Sequence, residues 1–387
     1  MQYDFVLFEH TPVVNHQHDL EEIARLLIHQ GKKVAIAEVY NECYYCKDTE
    51  IEHFVFDKPF KERFLFEKEC GLVVKRHIHN RLVRRKYDQY LKYVLLELCK
   101  VTSNVYIGSF FNNTTYSWLY DVPSSINIYV WGLRSFWQYE YKLNPFSKSG
   151  VYSFLNRNLL DKKKNIKLFV SNEIIKNEFL NLGIDQERIV VRPERTISKI
   201  AKSVSHNKQY LMLLTIGSLR PDKRIELALE ALRVINSNEI KYTIAGATFH
   251  DSKYEEIISK HIRGLKNIER INSRLSDEDY SKVISDCDFL VLCDKQHPSC
   301  ITNGTMNEAL LMGKPIIAPN YNPYKYVIDK FGVGIVFNPE SIDSLVSAIL
   351  EAKEKGGGYF AKSIEDYQKT LLIDNASADF VRQLKLD

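Results

Sequence analysis

The sequence lacks any apolar run of the roughly 18 to 20 residues that a membrane-spanning helix needs. It also lacks a basic opening segment, because residues 1–4 contain no lysine or arginine of the kind that begins a signal peptide. The formal net charge is only +4 over 387 residues, which argues against a general nucleic-acid binder. We therefore expect a protein that folds in the cytoplasm and has no nucleic-acid partner.

Cysteine is scarce. The seven cysteines are scattered along the chain, unlike the dense and even sets of small secreted domains, so reduced thiols are expected. Cys43 and Cys46 have the spacing of a metal or redox pair, but a zinc site needs about two further ligands and no second pair of this spacing exists. We favour an ordinary loop with two thiols, and no metal site is predicted.

The length and composition predict two folded domains. A chain of 387 residues is about twice the usual domain size. Hydrophobic residues make up 45%, enough for full cores, which excludes extensive disorder. Short apolar segments alternate with helical patterns, as in open parallel sheets covered by helices on both faces. Strands are predicted at 3–8, 33–37, 104–108, 126–130, 167–171, 210–216, 241–245, 267–271, 288–292 and 315–318.

The segment between the two halves is predicted to be a linker. It consists of residues 189–195 and the polar stretch 198–209, and we place the boundary near residue 205. This gives two Rossmann-like domains, over 1–205 and 206–387. A final helix predicted at 376–384, after a tail around 367–369, could return to pack on the first domain.

A loop with three cations follows the first strand of the second half. Gly217 and Ser218 form a small-residue turn, and Arg220, Lys223 and Arg224 come just before a predicted helix. Ligands of open parallel sheets bind beyond the carboxyl ends of the strands, and cations beside the N–H groups of a helix N-terminus suit a diphosphate. The alternative is a basic surface turn, which the helix dipole disfavours mildly when no anion is present.

A second loop and helix, at 299–315, have the features of a phosphate and ribose site. Small polar residues around Gly304 could offer backbone amides to a phosphate. Glu308 lies about one turn into the helix, where a carboxylate can bind two neighbouring ribose hydroxyls. The alternative is a capped core helix with Glu308 on its surface.

Together these segments resemble the nucleotide-sugar-binding domain of GT-B glycosyltransferases of the glycosyltransferase family 4 type. The matching stretches are 217–223, 244–246, 288–292 and 307–318, in the family's order. The pattern continues backward through 168–172 and 188–193, whereas the earlier part of the chain matches only in layout. The resemblance implies a GT-B fold, in which two Rossmann-like domains face a central cleft.

The resemblance also implies roles for the matching residues. Arg220 and Lys223 would hold the donor diphosphate, from exposed positions, and would stabilise its charge as the glycosidic bond breaks; Glu308 would bind the donor ribose. The other implied donor-binding residues are Gly217, Ser218, Ser273, Arg274, Cys300, Thr302, Asn303, Gly304 and Thr305. No metal or other cofactor is required, since Arg and Lys can neutralise the departing diphosphate. In a retaining enzyme, as most of this family are, the leaving phosphate can itself take the acceptor proton.

Two positions depart from the family pattern. Cys300 stands where the family has its first glutamate, which contacts the donor sugar, and a thiol cannot accept hydrogen bonds as a carboxylate does. Ser218 replaces the arginine that directly follows the glycine, with Arg220 as its substitute. Nucleoside-diphosphate binding is therefore predicted more firmly than the sugar or the stereochemical outcome.

The first domain is expected to supply the acceptor site. His10 and His16 lie in the loop after the first strand, where a histidine could act as a general base or orient the acceptor. Trp131 and Arg134 follow a later strand and could form a wall for sugar rings or lipid. The alternatives are a polar loop with solvated histidines, and core or hinge packing for the tryptophan.

A basic zone covers residues 58–100, where twelve Lys or Arg stand against five Asp or Glu. Part of it begins a helix with an apolar stripe over 83–98, which fits contact with an anionic membrane leaflet at about 1 kcal/mol per well-placed cation. The cations at this helix start are Arg81, Arg84, Arg85 and Lys86. The alternative is that the stripe is the core side of a surface helix.

The resemblance therefore predicts a glycosyltransferase that moves a sugar from a nucleoside-diphosphate sugar to a glycan or lipid-linked acceptor. Its expected place is the synthesis of a surface glycan such as a capsule or a lipid-linked oligosaccharide, at the inner face of the cell membrane. A GT-B nucleotide-sugar epimerase and a non-catalytic GT-B protein that binds a sugar or a partner are the alternatives. The diphosphate clamp of Arg220 and Lys223 argues against the second.

Overall fold

The computed structural model describes residues 1–10, 17–39, 51–56, 73–108, 116–132, 148–193, 195–201, 210–248, 252–296 and 303–386. The chain forms two compact units, one of Met1–Thr196 with Ile373–Asp387 and the other of Ile197–Leu372. The division lies earlier in the chain than the boundary expected near residue 205, and the C-terminal segment belongs to the first unit. Cys43 and Cys46 lie outside the described residues.

The first unit is built around one sheet. Its described strands are β1 Phe5–Glu9, β2 Val34–Glu38, β3 Glu52–Val55, β4 Asn104–Ile107, β5 Asn127–Trp131, β6 Ile166–Val170 and β7 Ile189–Val191. They pair in parallel in the order β3-β2-β1-β4-β5-β6-β7. The first helices are α1 Gln17–His29, α2 Val73–Leu98, α3 Lys148–Lys162 and α4 Glu173–Asn181.

The second unit repeats this architecture. Its described strands are β8 Leu211–Ile216, β9 Ile240–Ala245, β10 Ile268–Ile271, β11 Phe289–Val291, β12 Ile316–Pro319 and β13 Gly334–Phe337. They are parallel in the order β10-β9-β8-β11-β12-β13. The helices are α5 Ile225–Ile235, α6 Ser252–Ile262, α7 Asp277–Asp286, α8 Gly304–Leu311, α9 Tyr324–Phe331, α10 Ile342–Lys355 and α11 Ala361–Thr370. The predicted class, two α/β units with parallel sheets, is confirmed.

The final helix, α12 (Ile373–Leu384), packs in the first unit. The ring of Phe380 lies 5.4 Å from that of Phe169 on β6. The side-chain amide of Gln383 pairs with both backbone groups of Val191, accepting from the N–H at 2.9 Å and donating to the carbonyl at 3.0 Å. The prediction that 189–195 is linker is therefore wrong at its start, because β7 is a strand of the first sheet.

Another helix fixes the end of α8. Residues 367–369, predicted as a tail, lie in α11. The side chain of Gln368 is fully buried, and its amide donates to the carbonyls of Leu310 and Leu311 at 2.8 and 3.1 Å. The Leu310 carbonyl also accepts from the amide of Gly313 at 3.1 Å, and Gln368 adds a further donor to the buried end of α8.

The apolar stripe of α2 is part of the core. Leu91, Val94, Leu95 and Leu98 are each at most 2% exposed. The second half of the predicted stripe is thus the core side of the helix, which is the simpler of the two interpretations. None of the described helices has the length and apolarity needed to cross a membrane.

Candidate functional site

The loops after β8, β9 and β11 lie at the same edge of the second sheet, because these strands are parallel neighbours. The loop after β8 is bonded to both of its neighbours. On one side, the amide of Gly217 donates to the carbonyl of Ala245 at 3.1 Å. On the other, the amide of Lys295 donates to the carbonyl of Asp222 at 2.6 Å. These bonds to its neighbours fix the backbone of the loop at residues 217–224, which we call the phosphate loop.

Two glycines allow the site loops to approach closely. At Gly217, where φ is +123°, a Cβ atom would lie 3.5 Å from Oγ1 of Thr305. At Gly246, where φ is +126°, a Cβ would lie 1.9 Å from the carbonyl oxygen of Gly217, a separation that no side chain permits. The structure therefore brings the predicted donor-binding residues Gly217 and Thr305 together, with the first turn of α8 beside the phosphate loop.

Arg220 is exposed and paired within its own turn. Its Nε lies 3.1 Å from Oδ1 of Asp222, and its Nη2 lies 3.0 Å from Oδ2. Burial raises the pKa of the Asp222 carboxyl, but the hydrogen bonds and charge of Arg220 outweigh this effect and hold the pKa below its ordinary value. Exposed pairs of this kind contribute only about 0 to 1 kcal/mol, so the guanidinium can turn toward a ligand at little cost.

Lys223 is held more firmly than Arg220. Its side chain is only 17% exposed, and its Nζ lies 3.0 Å from Oδ1 of Asp294. The expectation of two exposed cations is correct for Arg220 and wrong for Lys223, because the loop after β11 supplies a carboxylate that covers the ammonium group. Lys223 therefore approaches the site from a fixed position.

Asp294 is a site residue that the sequence analysis missed. It follows the buried strand β11, and its side chain is 12% exposed. Besides Lys223, its carboxylate accepts hydrogen bonds from Nδ2 of Asn303 at 2.8 Å and from the hydroxyl of Tyr324. The same Nδ2 donates to the Tyr324 oxygen at 2.8 Å. The available signal was a charged residue three positions beyond a buried strand, at the edge where ligands bind.

The helix α8 starts as its sequence predicts. Asn303 is the N-cap, and its Oδ1 accepts from the amide of Met306 at 2.9 Å. Gly304 is exposed, and among the described residues, apart from its chain neighbours and the backbone of α8, none lies within 4 Å of a Cβ built on it. Glu308 is half-buried in the second turn. Cys300 and Thr302 lie outside the described residues.

Two predicted donor-binding residues, Ser273 and Arg274, lie apart from the phosphate loop. Ser218 is exposed in the phosphate loop, whereas Ser273 and Arg274 are exposed after β10, which β9 separates from β8. Ser273 lines a pocket of about 470 Å³ whose wall also includes Ile271 and Leu275. The predicted nucleobase contacts are therefore on a different loop from the phosphate contacts.

In the first unit, His10 is enclosed by aromatic side chains. It directly follows β1, is 3% exposed, and its Nδ1 lies 3.3 Å from the hydroxyl of Tyr87, which also donates to the His10 carbonyl. The ring of Trp118 lies 6.4 Å away, edge on. The interpretation of a solvated histidine is therefore wrong for His10. His16 lies outside the described residues.

Trp131, the last residue of β5, is half-buried and stacks against a cation. The guanidinium of Arg192 lies 4.5 Å from the centre of its ring. Arg192 is fully buried, and its Nη2 lies 2.6 Å from Oδ1 of Asp19. Trp131 therefore packs against a buried residue, as its alternative interpretation expected. Arg134 lies outside the described residues.

Comparison with known protein families shows what the second unit is similar to. Residues 196–370 match the family model of the glycosyl transferases group 1. This part of the chain is similar to the group 1 glycosyl transferases. A comparison with curated protein sequences finds no match.

Solved structures share the fold over nearly the whole chain. Alr3699/HepE of Anabaena in complex with UDP has a TM-score of 0.65 at 12% identity, with 99% of each chain covered. A glycosyltransferase of Rickettsia africae ESF-5 has a TM-score of 0.63 at 14% identity, covering 99% of this chain and 97% of its own. The lipopolysaccharide outer core galactosyltransferase WaaB has a TM-score of 0.59 at 15% identity, covering 98% and 99%. The predictions of a GT-B fold and of a glycosyltransferase are confirmed.

Proposed function

We propose that this glycosyltransferase transfers a sugar from a nucleoside-diphosphate sugar to a glycan or lipid-linked acceptor in surface-glycan synthesis. The observation that carries the proposal is that two cations, Arg220 and Lys223, and the start of α8 lie at the same edge of the second sheet. Lys223 is linked through Asp294 to Asn303, the N-cap of α8. Cations beside the amides of a helix N-terminus form a suitable site for a diphosphate.

In the proposed complex, the diphosphate lies between the phosphate loop and the first turn of α8. Gly304 offers its amide there, and the open space around its Cα lets an oxygen approach. Arg220 leaves its exposed pair with Asp222 and contacts the diphosphate, while Lys223 adds its charge from the position that Asp294 fixes. Glu308 binds the ribose, and Ser273 and Arg274 meet the nucleobase.

The same residues stabilise the reaction's developing charge. When the glycosidic bond breaks, negative charge accumulates on the diphosphate, and Arg220 and Lys223 are already positioned to neutralise it. We propose a metal-independent reaction for this reason. In a retaining course, the departing phosphate oxygen accepts the proton of the acceptor hydroxyl, so that this step depends on no strong side-chain base.

The choice of acceptor class follows the neighbours. WaaB is named as a lipopolysaccharide outer core galactosyltransferase, and HepE was solved with UDP-glucose. These names support a surface glycan as the product and UDP-sugars as the first donors to test. His10, His16, Trp131 and Arg134 are proposed for the acceptor side, in the first unit.

A donor screen tests the proposal. The thermal midpoint is measured with UDP-, GDP-, ADP- and CMP-sugars, and a ligand at 100 times its dissociation constant stabilises by about 2.7 kcal/mol. We expect one nucleoside-diphosphate sugar to raise the midpoint, and the CMP-sugars, which have a single phosphate, to leave it unchanged. Release of nucleoside diphosphate together with a glycosylated acceptor identifies transfer; hydrolysis without transfer identifies an epimerase and contradicts the proposal.

Glu308→Gln is expected to weaken binding of this donor by about 10- to 100-fold, because an amide replaces one acceptor oxygen with a donor group facing the ribose hydroxyls. The Michaelis constant for the acceptor should stay the same. The control is Glu351→Gln, which removes a carboxylate paired with Lys355 at 2.6 Å on an exposed face of α10. If the two variants bind the donor alike, Glu308 is a surface residue of α8 and does not bind ribose.

Contact with the inner face of the membrane is proposed through the basic residues 81–86 of α2, where Lys86 is exposed. The expectation that these cations begin a helix is wrong, because α2 already begins at Val73. The second half of the stripe is buried, so binding must depend mainly on charge. Sedimentation with acidic liposomes should therefore fall steeply as salt is added, because at physiological ionic strength exposed charges are screened over about 8 to 10 Å. Reversing Arg84 and Arg85 to Glu should abolish it while preserving transfer to a soluble acceptor. Equal binding to neutral liposomes, or none to acidic ones at low salt, contradicts this role.

A further inference from the structure

We propose that Asp294 is a positioning residue whose carboxylate, anchored by the N-cap residue Asn303, holds Lys223 in one fixed arrangement for binding the donor diphosphate. The inference rests on the proposed function, since it requires Lys223 to meet the diphosphate. Asp294 itself makes no contact with the donor in this proposal. It acts through Lys223, which it holds in place relative to the start of α8.

The network connects three separate parts of the chain. Lys223 comes from the loop after β8, Asp294 follows β11, and Asn303 begins α8. A lysine side chain ordered by such a partner loses less conformational entropy when it binds a phosphate. The carboxylate therefore prepares the ammonium group for the ligand and fixes its distance from the first amides of α8.

The chemistry of the network favours aspartate at this position. A carboxylate is an acceptor only, and the described groups that face it are the donors Lys223 Nζ, Asn303 Nδ2 and the Tyr324 hydroxyl. An asparagine of the same size would turn its NH₂ group against one of these donors in either orientation. Asp294→Asn should therefore disturb the arrangement without changing the volume of the side chain.

The surroundings make the arrangement rigid. Tyr324 is 1% exposed and Asn303 8% exposed, and the hydroxyl of Tyr321 donates to the backbone carbonyl of Asp294. Both the main chain and the side chain of Asp294 are thus held by α9 and the residues just before it. Buried networks in which each polar group has a partner specify one geometry.

The test is a double-mutant cycle on nucleotide binding. Dissociation constants for UDP, GDP and ADP are measured by calorimetry for the wild type, Asp294→Asn, Lys223→Met and the double variant. For the nucleotide that binds, each single change should raise the dissociation constant roughly tenfold. The double variant should be no weaker than Lys223→Met alone, because Asp294 has no lysine left to position.

Two further variants separate positioning from folding. Asp288→Asn changes a carboxylate at the other end of β11, where Oδ2 accepts from the amide of Met212 at 2.8 Å. It should lower the thermal midpoint and leave the dissociation constant unchanged. Tyr324→Phe removes one hydrogen bond to Asp294 and serves if Asp294→Asn does not fold. It should weaken binding about threefold with Lys223 present and not at all in the Lys223→Met background.

The outcomes distinguish the inference from the proposed function. If the wild type binds a nucleotide and Asp294→Asn binds it equally well, Asp294 does not position Lys223. The inference is also overturned if the two changes raise the dissociation constant of the double variant by the product of their separate effects. Asp294 would then have a role independent of Lys223. If the wild type binds none of the three nucleotides, the proposed function fails and the inference fails with it.

Discussion

Lys223→Met is expected to slow sugar transfer by about 100- to 1,000-fold, the usual effect of removing one fixed donor to a developing negative charge. Methionine keeps much of the length and the apolar stem while removing the ammonium group. Lys223 should matter more than an ordinary surface lysine because it is ordered by Asp294 before the donor arrives. The measurement is single-turnover transfer at saturating donor, which isolates the chemical step from binding.

Arg220→Ala provides the comparison. Its side chain is 57% exposed and its ion pair with Asp222 is exposed as well, so the change should reduce transfer at least about tenfold and leave the thermal midpoint unchanged. Lys223→Met should lower the midpoint somewhat as well, because Asp294 loses an ionic partner at a mostly buried position. Lys325→Met, at an exposed pair with Asp329 on α9, is the matched control. Wild-type turnover in Lys223→Met and Arg220→Ala would show that the diphosphate binds elsewhere.

The strands were predictable where both faces of the sheet are covered. In β8, β9 and β11 nearly every residue is buried, and each strand therefore stands out as a short apolar run. The edge strand β13 was not predicted, because its residues alternate between half-buried and buried and include Gly334 at the strand start. The apolar pattern of a strand depends on whether one or both of its faces are buried. A short stretch of sequence does not show which of these applies.

The cations of the site were predictable, but their environment was not. Arg220 and Lys223 follow an obvious strand and precede a helix, so their position suggested a phosphate site. Asp294 is 71 residues from Lys223 in sequence, and no role was predicted for its loop. Pairing across this distance depends on β8 and β11 being neighbours, a sheet order that the separate strands do not specify.

The ends of the two units show the same limit. Residues 189–191 could be a linker or a strand by pattern alone, and only pairing with β6 and the amide of Gln383 makes them β7. The side chain that satisfies Val191 is 192 residues away in sequence. The polar residues after 191 favoured a linker, but the three apolar residues 189–191 pair with β6 as a strand of the first sheet.

Gly246→Ala is expected to be the most damaging single-methyl change in the second unit. The new Cβ would lie 1.9 Å from the carbonyl oxygen and 2.9 Å from the carbonyl carbon of Gly217, so the backbone of the phosphate loop must move. A destabilisation above about 3 kcal/mol is expected, which lowers the thermal midpoint by about 6 °C or more. Displacing Gly217 also moves the loop away from Thr305, and transfer should fall more than about 100-fold even in the molecules that stay folded.

Gly264→Ala is the matched control, since it also adds a methyl group at a positive φ, here +80°, in the same unit. The nearest atom to its new Cβ is a guanidinium nitrogen of Arg233 at 3.8 Å, an ordinary contact. Its cost is then the backbone term alone, about 1 to 2 kcal/mol, with normal turnover per folded molecule. If Gly246→Ala behaves like this control in both midpoint and turnover, the close approach of Gly246 to the phosphate loop is not needed for donor binding. A loss of turnover confined to Gly246→Ala ties the activity to the geometry of Gly217, because a general loss of stability would affect both variants.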